Sequence, residues 1–573
     1  GEGEGEGEGE GEGEGEGEGE GEGEGEGEGE GEGEGEVVCV PLETTNITTD
    51  TTLASGCYLV ESEISVSDGA TLTLSPGVTL KFAQSQGMTV WSDGRLSAVG
   101  TEANPIVLTG AEQTRGYWDG LRFYQSNSTT NQLDYVTIEN GGGSFGANLY
   151  LTGSSSSPAR VDVTNCTIRG SETYGFFFNY AIVEEFTDNA ITGNASGAGD
   201  VSADNAQYLD DTSTYVDNDQ DIVTISGAVS DAGTWPTLGA ASYYVDSNID
   251  VRSDVTIEAG AQFVFASGIH MTVWEDGSLA ATGTSAESVE FTGEEQTAGY
   301  WGGLCFYQSN STGNSLEYVT IEYGGGYFGA NLYLAGSSSS PARLDISNCT
   351  IQQSSTYGFL FDHVIVETFT NNTITANTTG AGSILSDEVQ YLDDTSTYVG
   401  NTVDVVRVSG TLEVDSTWPG IDAYYYVDNT IDIGAALTIE PGATFVFTQD
   451  SGMTVWSDGS MSAVGTLLKP IVFTGVQQTA GSWSGLRFYQ SNSVNNQLDY
   501  VWIQYGGGNG YGNLYLTGSS SSPVDIDVIN CTIQHSSTYG VYINDAEYVT
   551  ANSALATANT FSNNSSGDVF PGT

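Results

Sequence analysis

Short apolar alternations dominate the chain from Tyr58 onward. Segments such as TLTL at 71–74, VTLKF at 78–82 and NLYL at 148–151 place an apolar residue at every second position, and Gly, Asn, Asp or Ser then ends the run. This period, in segments rich in Val, Ile, Thr, Tyr and Phe, predicts β-strands. Because no stretch shows a capped 3.6-residue period, we expect few helices. The best candidates are a turn or two near 181–187 or in the joints between repeats.

The segment from Met88 to Ile168 is written three times. Its landmarks are MTVW, W-x-G-L-x-F-Y-Q-S-N-S, NLYL-x-GSSSSP and NCTI. Equivalent residues are separated by 183 and then 182 positions, as in the sets Trp91, Trp274 and Trp456; Trp118, Trp301 and Trp483; and Cys166, Cys349 and Cys531. A period held this closely indicates repeated structural units. We therefore predict copy 1 with an N-terminal cap at 37–216, copy 2 at 217–399 and copy 3 at 400–573.

Many short strands within a long repeat are compatible with tandem sandwiches, a propeller or a solenoid. A propeller blade would repeat about every 40–50 residues, and no such period is visible. The Asn-Gly and Asp-Gly turns of sandwich hairpins are few. Apolar strands with Asn at the turns, as in NCTI and DNAITGNAS, favour stacked parallel rungs in which Asn side chains form ladders.

The joints between copies carry the same motif, YLDDTSTYV, at 208–216 and 391–399. The copies could be three short β-helices in line or one continuous solenoid. We favour continuity, because each break would expose two strand edges. The variable segments TWPTLGAAS at 234–242 and TWPGIDAYY at 417–425 are then expected to be loops that cover the joints.

Several motifs point to a known family. In copy 3 they read GSMSAVGT at 459–466, PIVFTG at 470–475, WSGLRF at 483–488, LDYVWIQYGGG at 498–508 and NCTI at 530–533. This pattern, over essentially residues 58–565, resembles the right-handed parallel β-helix repeat of bacterial surface proteins in the pectin-lyase-like superfamily. The resemblance implies an all-β, right-handed parallel β-helix. It says little about function, because that superfamily includes lyases, hydrolases, adhesins and phage spikes.

The net charge of the chain limits the kinds of partner that it can bind. The formal charge is −65, and eighteen Gly-Glu pairs at 1–36 supply 18 of the 76 acidic residues. The remainder holds 58 acidic against 11 basic residues, a net of −47. Nucleic acids and anionic lipids need basic surfaces, so we expect neither as a partner. An acidic surface favours solubility or cation binding.

The Gly-Glu leader has no apolar side chain and repels itself, which predicts a disordered, extended tether; a passive low-complexity segment is the alternative. It resembles the Gly-rich linkers that follow the lipidated cysteine of bacterial lipoproteins, which implies a lipid anchor through the tether. No apolar run reaches 18 residues, so we expect no transmembrane segment. Composition indicates an extracellular or cell-surface location.

The six cysteines fall into two groups. Cys39 and Cys57 lie close together and have no counterparts in the other copies, which predicts a disulfide in a secreted protein, with two buried thiols as the alternative. Cys166, Cys349 and Cys531 repeat about 180 residues apart, too far along a stacked solenoid to pair, so we expect small buried core residues. Cys305 has no aligned partner and is expected to be buried as well.

A polysaccharide lyase or hydrolase needs acid–base groups, and a lyase also needs a basic group. Carboxylates recur in all three copies, but no basic residue does: Cys305 stands where Arg122 and Arg487 do. The three copies therefore share no catalytic constellation. We assign no catalytic residue and favour a non-enzymatic protein, while one active copy stays open.

An aromatic and amide set recurs in every copy. Rings alternating with amides on one sheet face suit a sugar, which is apolar on its faces and hydroxylated at its edge. The alternative is that the aromatic rings plug the ends of the β-helix or pack under loops. The candidate glycan-binding residues are Trp118, Tyr124, Gln125, Asn148, Trp301, Tyr307, Gln308, Asn331, Trp483, Tyr489, Gln490 and Asn513.

Acidic turns offer weak calcium candidates at Asp93, Asp276 and Asp458, although none matches an EF-hand or the nonapeptide calcium repeat. We expect no other cofactor.

Together the patterns predict a non-enzymatic extracellular or cell-surface β-helix that acts as an adhesin, stalk or matrix component and binds glycans. The alternative is a polysaccharide-active lyase or hydrolase. The expected partner is a polysaccharide or another surface protein, and free strand edges at a solenoid end would permit end-to-end self-association.

Overall fold

The computed structural model describes residues 38–552 and 554–571; the predicted tether at 1–36 lies outside the described residues. All pairings between its named strands are parallel. The predicted all-β parallel β-helix is therefore confirmed.

One rung shows why the sequence folds this way. In Val78–Phe82, the side chains of Val78, Leu80 and Phe82 are buried and those between them face outward. The chain turns into Gly87–Val90, turns again into Arg95–Val99, and then begins the next rung at Ile106–Gly110. Leu108 of that strand stacks on Leu80 in parallel register. We call the three strands of a rung first, second and third in chain order, and each stack of equivalent strands a ladder.

In copy 1 the ladders run from residue 40 to residue 202. The first ladder is Val40–Pro41, Gly56–Val60, Val78–Phe82, Ile106–Gly110, Val136–Glu139, Thr167–Arg169 and Ala190–Thr192. The second is Asn46–Ile47, Ile64–Val66, Gly87–Val90, Gly120–Tyr124, Ala147–Thr152, Tyr174–Asn179 and Gly197–Ser202. The third is Thr51–Leu53, Thr71–Leu74, Arg95–Val99, Gln132–Asp134, Asp162–Thr164 and Phe186–Thr187, with a corner pair Ala159–Arg160 and Ala181–Ile182.

Copy 2 begins with two long strands, Ile222–Val229 and Ser242–Val251, that each span two ladders. Its first ladder continues through Gln262–Phe265, Val289–Gly293, Val319–Glu322, Thr350–Gln352 and Thr373–Thr375. Its second continues through His270–Val273, Gly303–Tyr307, Ala330–Ala335, Tyr357–Asp362 and Gly380–Leu385. Its third is Gly233–Trp235, Asp254–Ile257, Ser278–Thr282, Ser315–Glu317, Asp345–Ser347 and Phe369–Thr370, with the pair Ala342–Arg343 and Val364–Ile365.

Copy 3 repeats this order. Its first ladder is Val405–Ser409, Tyr424–Val427, Thr444–Phe447, Ile471–Gly475, Val501–Gln504, Thr532–Gln534 and Thr560–Ser562. Its second is Thr411–Leu412, Ile431–Ile433, Met453–Val455, Leu486–Tyr489, Gly512–Thr517, Tyr539–Asn544 and Gly567–Phe570. Its third is Ser416–Trp418, Ala436–Ile439, Ser460–Val464, Gln497–Asp499, Val524–Ile529 and Val549–Ala551.

Parallel pairing runs through both joints, and the chain from Cys39 onward forms a single compact unit, as expected for a continuous solenoid. Short 3₁₀ helices at Ala203–Tyr208 and Ser386–Tyr391 lead into the joints, as predicted, and a third spans Ala546–Tyr548. The alternative helix at 181–187 is wrong, since strands occupy Ala181–Ile182 and Phe186–Thr187.

The segments predicted to cover the joints are loops only in their middle: residues 236–241 and 419–423 lie outside strands, and the residues on either side belong to the rungs. Trp235 ends the strand Gly233–Trp235, which pairs with Asp254–Ile257, and its side chain is buried. Trp418 occupies the same place in copy 3 and is also buried. The loop prediction is wrong at these two tryptophans, because each is a core residue that needs enclosure; burying a ring of this size contributes about 2–3 kcal/mol.

Polar groups inside the solenoid are satisfied by side-chain ladders at the turns. Asn189 accepts the Cys166 backbone N–H at 3.0 Å, and Asn194 donates to Asn218 at 2.9 Å. These amides replace the hydrogen bonds that the backbone loses where each strand ends. The predicted asparagine ladders at the turns are confirmed.

The cysteines lie as expected. Cys39 and Cys57 form the predicted disulfide, with Cα atoms 4.5 Å apart on neighbouring rungs. The other four are free and buried: Cys166, Cys305, Cys349 and Cys531. Burial raises the pKa of each of these four thiols to about 12, so they are un-ionised core groups.

Candidate functional site

The tryptophans proposed as sugar contacts lie inside the solenoid. Trp118 is fully buried, stacks on Phe82 with ring centroids 4.3 Å apart, and donates its Nε1–H to the Glu139 carbonyl at 2.8 Å. Trp301 and Trp483 are buried in the same way. The prediction that these three rings contact a ligand is wrong, because no face of them reaches the surface. The alternative, packing under a loop, describes them.

The three asparagines of the predicted set are buried too. Asn148 accepts the Gly141 N–H at 2.8 Å and donates to the Arg169 carbonyl at 2.8 Å. Asn331 and Asn513 make the equivalent bonds. Their amides fasten the Gly-Gly-Gly loop onto the tryptophan below it. The prediction that they bind a ligand is therefore wrong, since their hydrogen-bonding groups are already used.

The tyrosines of the set do reach the surface. Tyr124 and Tyr307 are 39% and 42% exposed, and Tyr489 is partly exposed. Each meets a second tryptophan edge to face at the end of the preceding second strand. The pairs are Trp91–Tyr124 at 5.4 Å, Trp274–Tyr307 at 5.1 Å and Trp456–Tyr489 at 5.0 Å between ring centroids. The geometry is the same in all three copies.

A hydrogen bond fixes each of these outer tryptophans. Trp456 donates its Nε1–H to Asp432 Oδ1 at 2.7 Å. Trp274 donates to Asp250 at 2.8 Å, and Trp91 donates to Ser65 at 2.9 Å. The acceptor always lies one rung earlier on the same ladder. The indole orientation is therefore set before any ligand arrives, which lowers the entropy cost of binding.

A third ring and a cation extend the surface along the ladder. Arg122 pairs in register with Tyr150, and its Cζ lies 4.5 Å from the Phe145 ring centroid. In copy 3, Arg487 lies 4.5 Å from the Tyr489 centroid and 5.2 Å from that of Tyr515. Cation–π contacts of this kind hold a guanidinium against rings while its outer N–H groups stay available.

We name these surfaces patch 1, patch 2 and patch 3. Each consists of an outer tryptophan, its partner tyrosine and the tyrosine of the next strand along the ladder. The members are Trp91, Tyr124 and Tyr150; Trp274, Tyr307 and Tyr333; and Trp456, Tyr489 and Tyr515. Patch 3 borders a groove of about 270 Å³ whose walls include Asp432, Trp456, Arg487, Asn509, Tyr511 and Tyr515.

Patch 2 lacks the central arginine that patches 1 and 3 contain. Cys305 replaces the arginine and is buried. His270 fills the position of a glycine in the other copies and stacks on Tyr327 with centroids 4.7 Å apart. Burial lowers the pKa of His270, so the ring is uncharged at neutral pH. Patch 2 therefore has no cation at its centre; its cation is Arg252, whose Cζ lies 4.7 Å from the Trp274 ring centroid.

Gln125, Gln308 and Gln490, the remaining members of the predicted set, follow the patch tyrosines at the strand ends. Their φ angles of 53°, 53° and 58° are left-handed, which is the conformation that turns the chain into the next corner. Their side chains are partly exposed beside the patches, and their role in binding stays a prediction.

Sequence reasoning could have found the outer tryptophans. Met88 and Val90 point inward, so strict alternation places Thr89 and Trp91 outside. The same reasoning puts Tyr150 outside, between Leu149 and Leu151. Trp118 carried no such signal, because it precedes its strand and alternation does not fix its direction.

The calcium candidates lie at exposed turns. Asp93 accepts the Asp68 backbone N–H at 3.2 Å, and Asp276 lies 3.8 Å from Arg252. Asp458 accepts from the Ser457 hydroxyl at 3.3 Å. Within residues 38–552 and 554–571, no group of three or more His, Cys, Asp or Glu side chains is placed to hold a metal ion. Calcium binding stays a prediction.

Two carboxyl groups have strongly raised pKa values. Burial, with a smaller effect from Asp246, raises the pKa of Asp200 to about 6, and burial raises that of Glu388 to about 7. Ser383 and Asn205 stand at the equivalent positions of the neighbouring copies. Neither carboxyl group therefore belongs to a site written in every copy.

The fold and its surface define the class: a parallel β-helix with recurring outer aromatic patches. Residues 45–157 match the family model of the pectate-lyase-like beta helix domain, and the parallel β-helix of the described residues is consistent with that match. A 60-residue segment is 43% identical to Protein bark beetle of Drosophila melanogaster. That segment covers 10% of this chain and 2% of the fly protein, so the chain spans a small fraction of that relative.

In the described part of the chain, no helix has the length and apolar character needed to cross a membrane.

Proposed function

We propose that this protein is a non-enzymatic extracellular or cell-surface β-helix that binds glycans through patches 1, 2 and 3. One observation carries the proposal: the same partly exposed Trp–Tyr pair, with its indole fixed by a hydrogen bond, occurs at the same place in each copy. Single exposed rings are common on protein surfaces, but an adjoining pair of rings at the same place in each copy forms a recurring apolar patch, which is the informative feature.

The chemistry of the patches suits a saccharide. Trp456 is 37% exposed and offers an apolar ring face for the C–H side of a sugar. Arg487 and Asn509 line the adjoining groove and supply donors and an acceptor for hydroxyl groups. Arg487 forms no ion pair within the described residues, and its buried Nε has no hydrogen-bond partner there. Its guanidinium group is therefore not paired with a carboxylate.

A glycan array tests the proposal. The variant carrying Trp91→Ala, Trp274→Ala and Trp456→Ala is compared with wild type, and Trp502→Ala is the matched control. Trp502 is 43% exposed but lies on the first ladder of copy 3, away from the patches. We expect at least tenfold weaker binding for the triple variant, about 1.4 kcal/mol, and wild-type binding for the control. Equal losses in both variants, or no glycan bound by wild type, would reject the proposal.

A polysaccharide-active enzyme is the second candidate, and a carboxyl pair in copy 2 favours it. Burial and then the neighbouring Glu322 raise the pKa of Glu290, while Gln352 donates to Glu322 at 2.7 Å. Two carboxyl groups that share a proton can act as acid and base, although the hydrogen bond between them places them closer than the separation of about 5–9.5 Å between the carboxyl pair of glycoside hydrolases. Release of reducing ends or unsaturated products from polysaccharides, abolished by Glu290→Gln, would favour the enzyme; no release from any polymer would oppose it.

A further inference from the structure

The three patches do not lie on one continuous face of the solenoid. Patch 1 lies on the outer side of the second ladder, where Thr89, Arg122, Tyr150, Phe177 and Asp200 stack in register.

At the first joint this ladder continues into a different ladder of the next copy. Asp200 pairs with Thr224, Thr224 with Tyr244, and Tyr244 with Val264. Val264 belongs to the first ladder of copy 2. The second ladder of copy 1 therefore continues as the first ladder of copy 2.

Patch 2 lies on the next ladder around the solenoid. The strand Ser242–Val251 bends between the two: its first half pairs with Gln262–Phe265 and its second half with His270–Val273. Asp250, Thr272, Cys305 and Tyr333 then stack to form the outer side that carries patch 2. Patch 2 is displaced by one face from patch 1.

The second joint repeats the shift in the same direction. Ser383 pairs with Arg407, and Arg407 with Tyr426. Tyr426 belongs to the first ladder of copy 3, so the patch 2 ladder again becomes the first ladder of the following copy. Patch 3 lies on a separate ladder of Asp432, Thr454 and Arg487. Two equal shifts place the three patches on three different faces of a three-sided solenoid.

We propose that the protein is a trivalent cross-linker, which binds a separate glycan chain at each patch and joins polymers that run past different faces. This inference rests on the proposed glycan binding. The strands of patches 1 and 2 are seven rungs apart, which is about 34 Å at 4.8 Å per rung. A straight chain that leaves patch 1 along its ladder crosses positions that lack the Trp–Tyr pair of a patch: Phe177, Asp200, Thr224, Tyr244, Val264 and Thr292. It reaches no second patch without winding around the solenoid.

A capture assay separates the two ideas. Xylan, carboxymethylcellulose and polygalacturonate are each coupled to a surface, the full chain is added, and then the same polymer in fluorescent, soluble form. We expect wild type to bind at least one surface and to capture the soluble polymer. In single-patch variants, the outer tryptophan and its partner tyrosine are changed to alanine in the other two patches. These variants should still bind the surface, and their capture of soluble polymer should fall at least fivefold.

The outcomes are distinct. Wild type that binds a surface but captures nothing would overturn the cross-linking inference and leave glycan binding intact. Single-patch variants that capture as well as wild type would also overturn it, because bridging would then not need a second patch. Wild type that binds none of the three surfaces would contradict the proposed function itself. Trp502→Ala serves as the control and should behave as wild type in both steps.

Discussion

Trp456 and Asp432 are joined by a 2.7 Å hydrogen bond from the indole Nε1–H to the carboxylate Oδ1. The bond spans neighbouring rungs and holds the ring that forms the apolar wall of patch 3. In the proposed glycan binding, Asp432 is therefore a positioning residue, which acts through the orientation of the tryptophan.

Replacement of this aspartate should weaken binding without unfolding the chain. In a variant that lacks the outer tryptophans of patches 1 and 2, we expect Asp432→Ala to reduce glycan affinity about fivefold, equivalent to roughly 1 kcal/mol for one lost hydrogen bond. Asp432→Asn keeps an acceptor and should restore most of the affinity. The exposed Asp527→Ala is the control. Calorimetric titration measures all three, and an Asp432→Asn variant as weak as Asp432→Ala would argue against positioning.

Substitution of a buried aromatic residue should destabilise the chain far more than substitution of an exposed aromatic residue in the same copy. Trp301 is fully buried against Phe265 with centroids 4.2 Å apart, so Trp301→Ala should lower the free energy of unfolding by about 3–5 kcal/mol. Tyr307→Ala removes an exposed ring and should change it by less than about 1 kcal/mol. Guanidinium denaturation gives both values. Equal destabilisation by the two variants would contradict the assignment of Trp301 to the core and Tyr307 to the binding surface.

Stability should fall as pH rises through neutrality because of Glu388. Burial raises the pKa of this carboxyl from 4.5 to about 7, so the folded state holds its proton more tightly than the unfolded state. The associated stability is fully present below pH 4.5 and is lost as the pH rises through about 7, with an upper bound on the order of 3 kcal/mol.

The variant Glu388→Gln should flatten this part of the pH profile and stabilise the chain at pH 8. Asn205, an uncharged amide, already occupies the equivalent position in copy 1, where it bonds the Ala181 backbone. Denaturation midpoints from pH 4 to pH 8 provide the measurement. Burial also raises the pKa of Asp200 to about 6. The Asp200→Asn variant therefore shows how much of the remaining pH dependence of stability comes from this second carboxyl group. A Glu388→Gln profile as steep as that of wild type would refute the prediction.

The disulfide should stabilise the first rungs and leave the rest unchanged. Cys39 and Cys57 are 18 residues apart, and opening such a loop costs about 3 kcal/mol. In a solenoid each rung contacts its neighbours, so the loss stays local. We expect Cys39→Ser/Cys57→Ser to exchange amide hydrogens faster between residues 40 and 66. Faster exchange throughout copies 2 and 3 would show that the chain does not melt rung by rung.

Period-two alternation predicted the strands, because strand formation depends on local pattern. The turn asparagines and the family resemblance predicted the parallel stacking, and the spacing of the repeats predicted the buried cysteines. The alternation also contained the outward direction of Trp91, which follows Met88 and Val90 in register. It could not give the direction of Trp118, which lies outside a strand. The one-face shift at each joint was also hidden, because it depends on which strand Ile222–Val229 pairs with, and that choice is non-local.

The most direct test of the account is fluorine NMR of the full chain labelled with 5-fluorotryptophan, titrated with a glycan found on the array. The chain has nine tryptophans, so single Trp→Phe variants assign nine signals. We predict that saturating glycan shifts the signals of Trp91, Trp274 and Trp456 and leaves those of the buried Trp118, Trp301 and Trp483 and of the exposed Trp502 unchanged. Glycan binding that leaves the three patch signals in place, or that shifts Trp502 instead, would contradict the account.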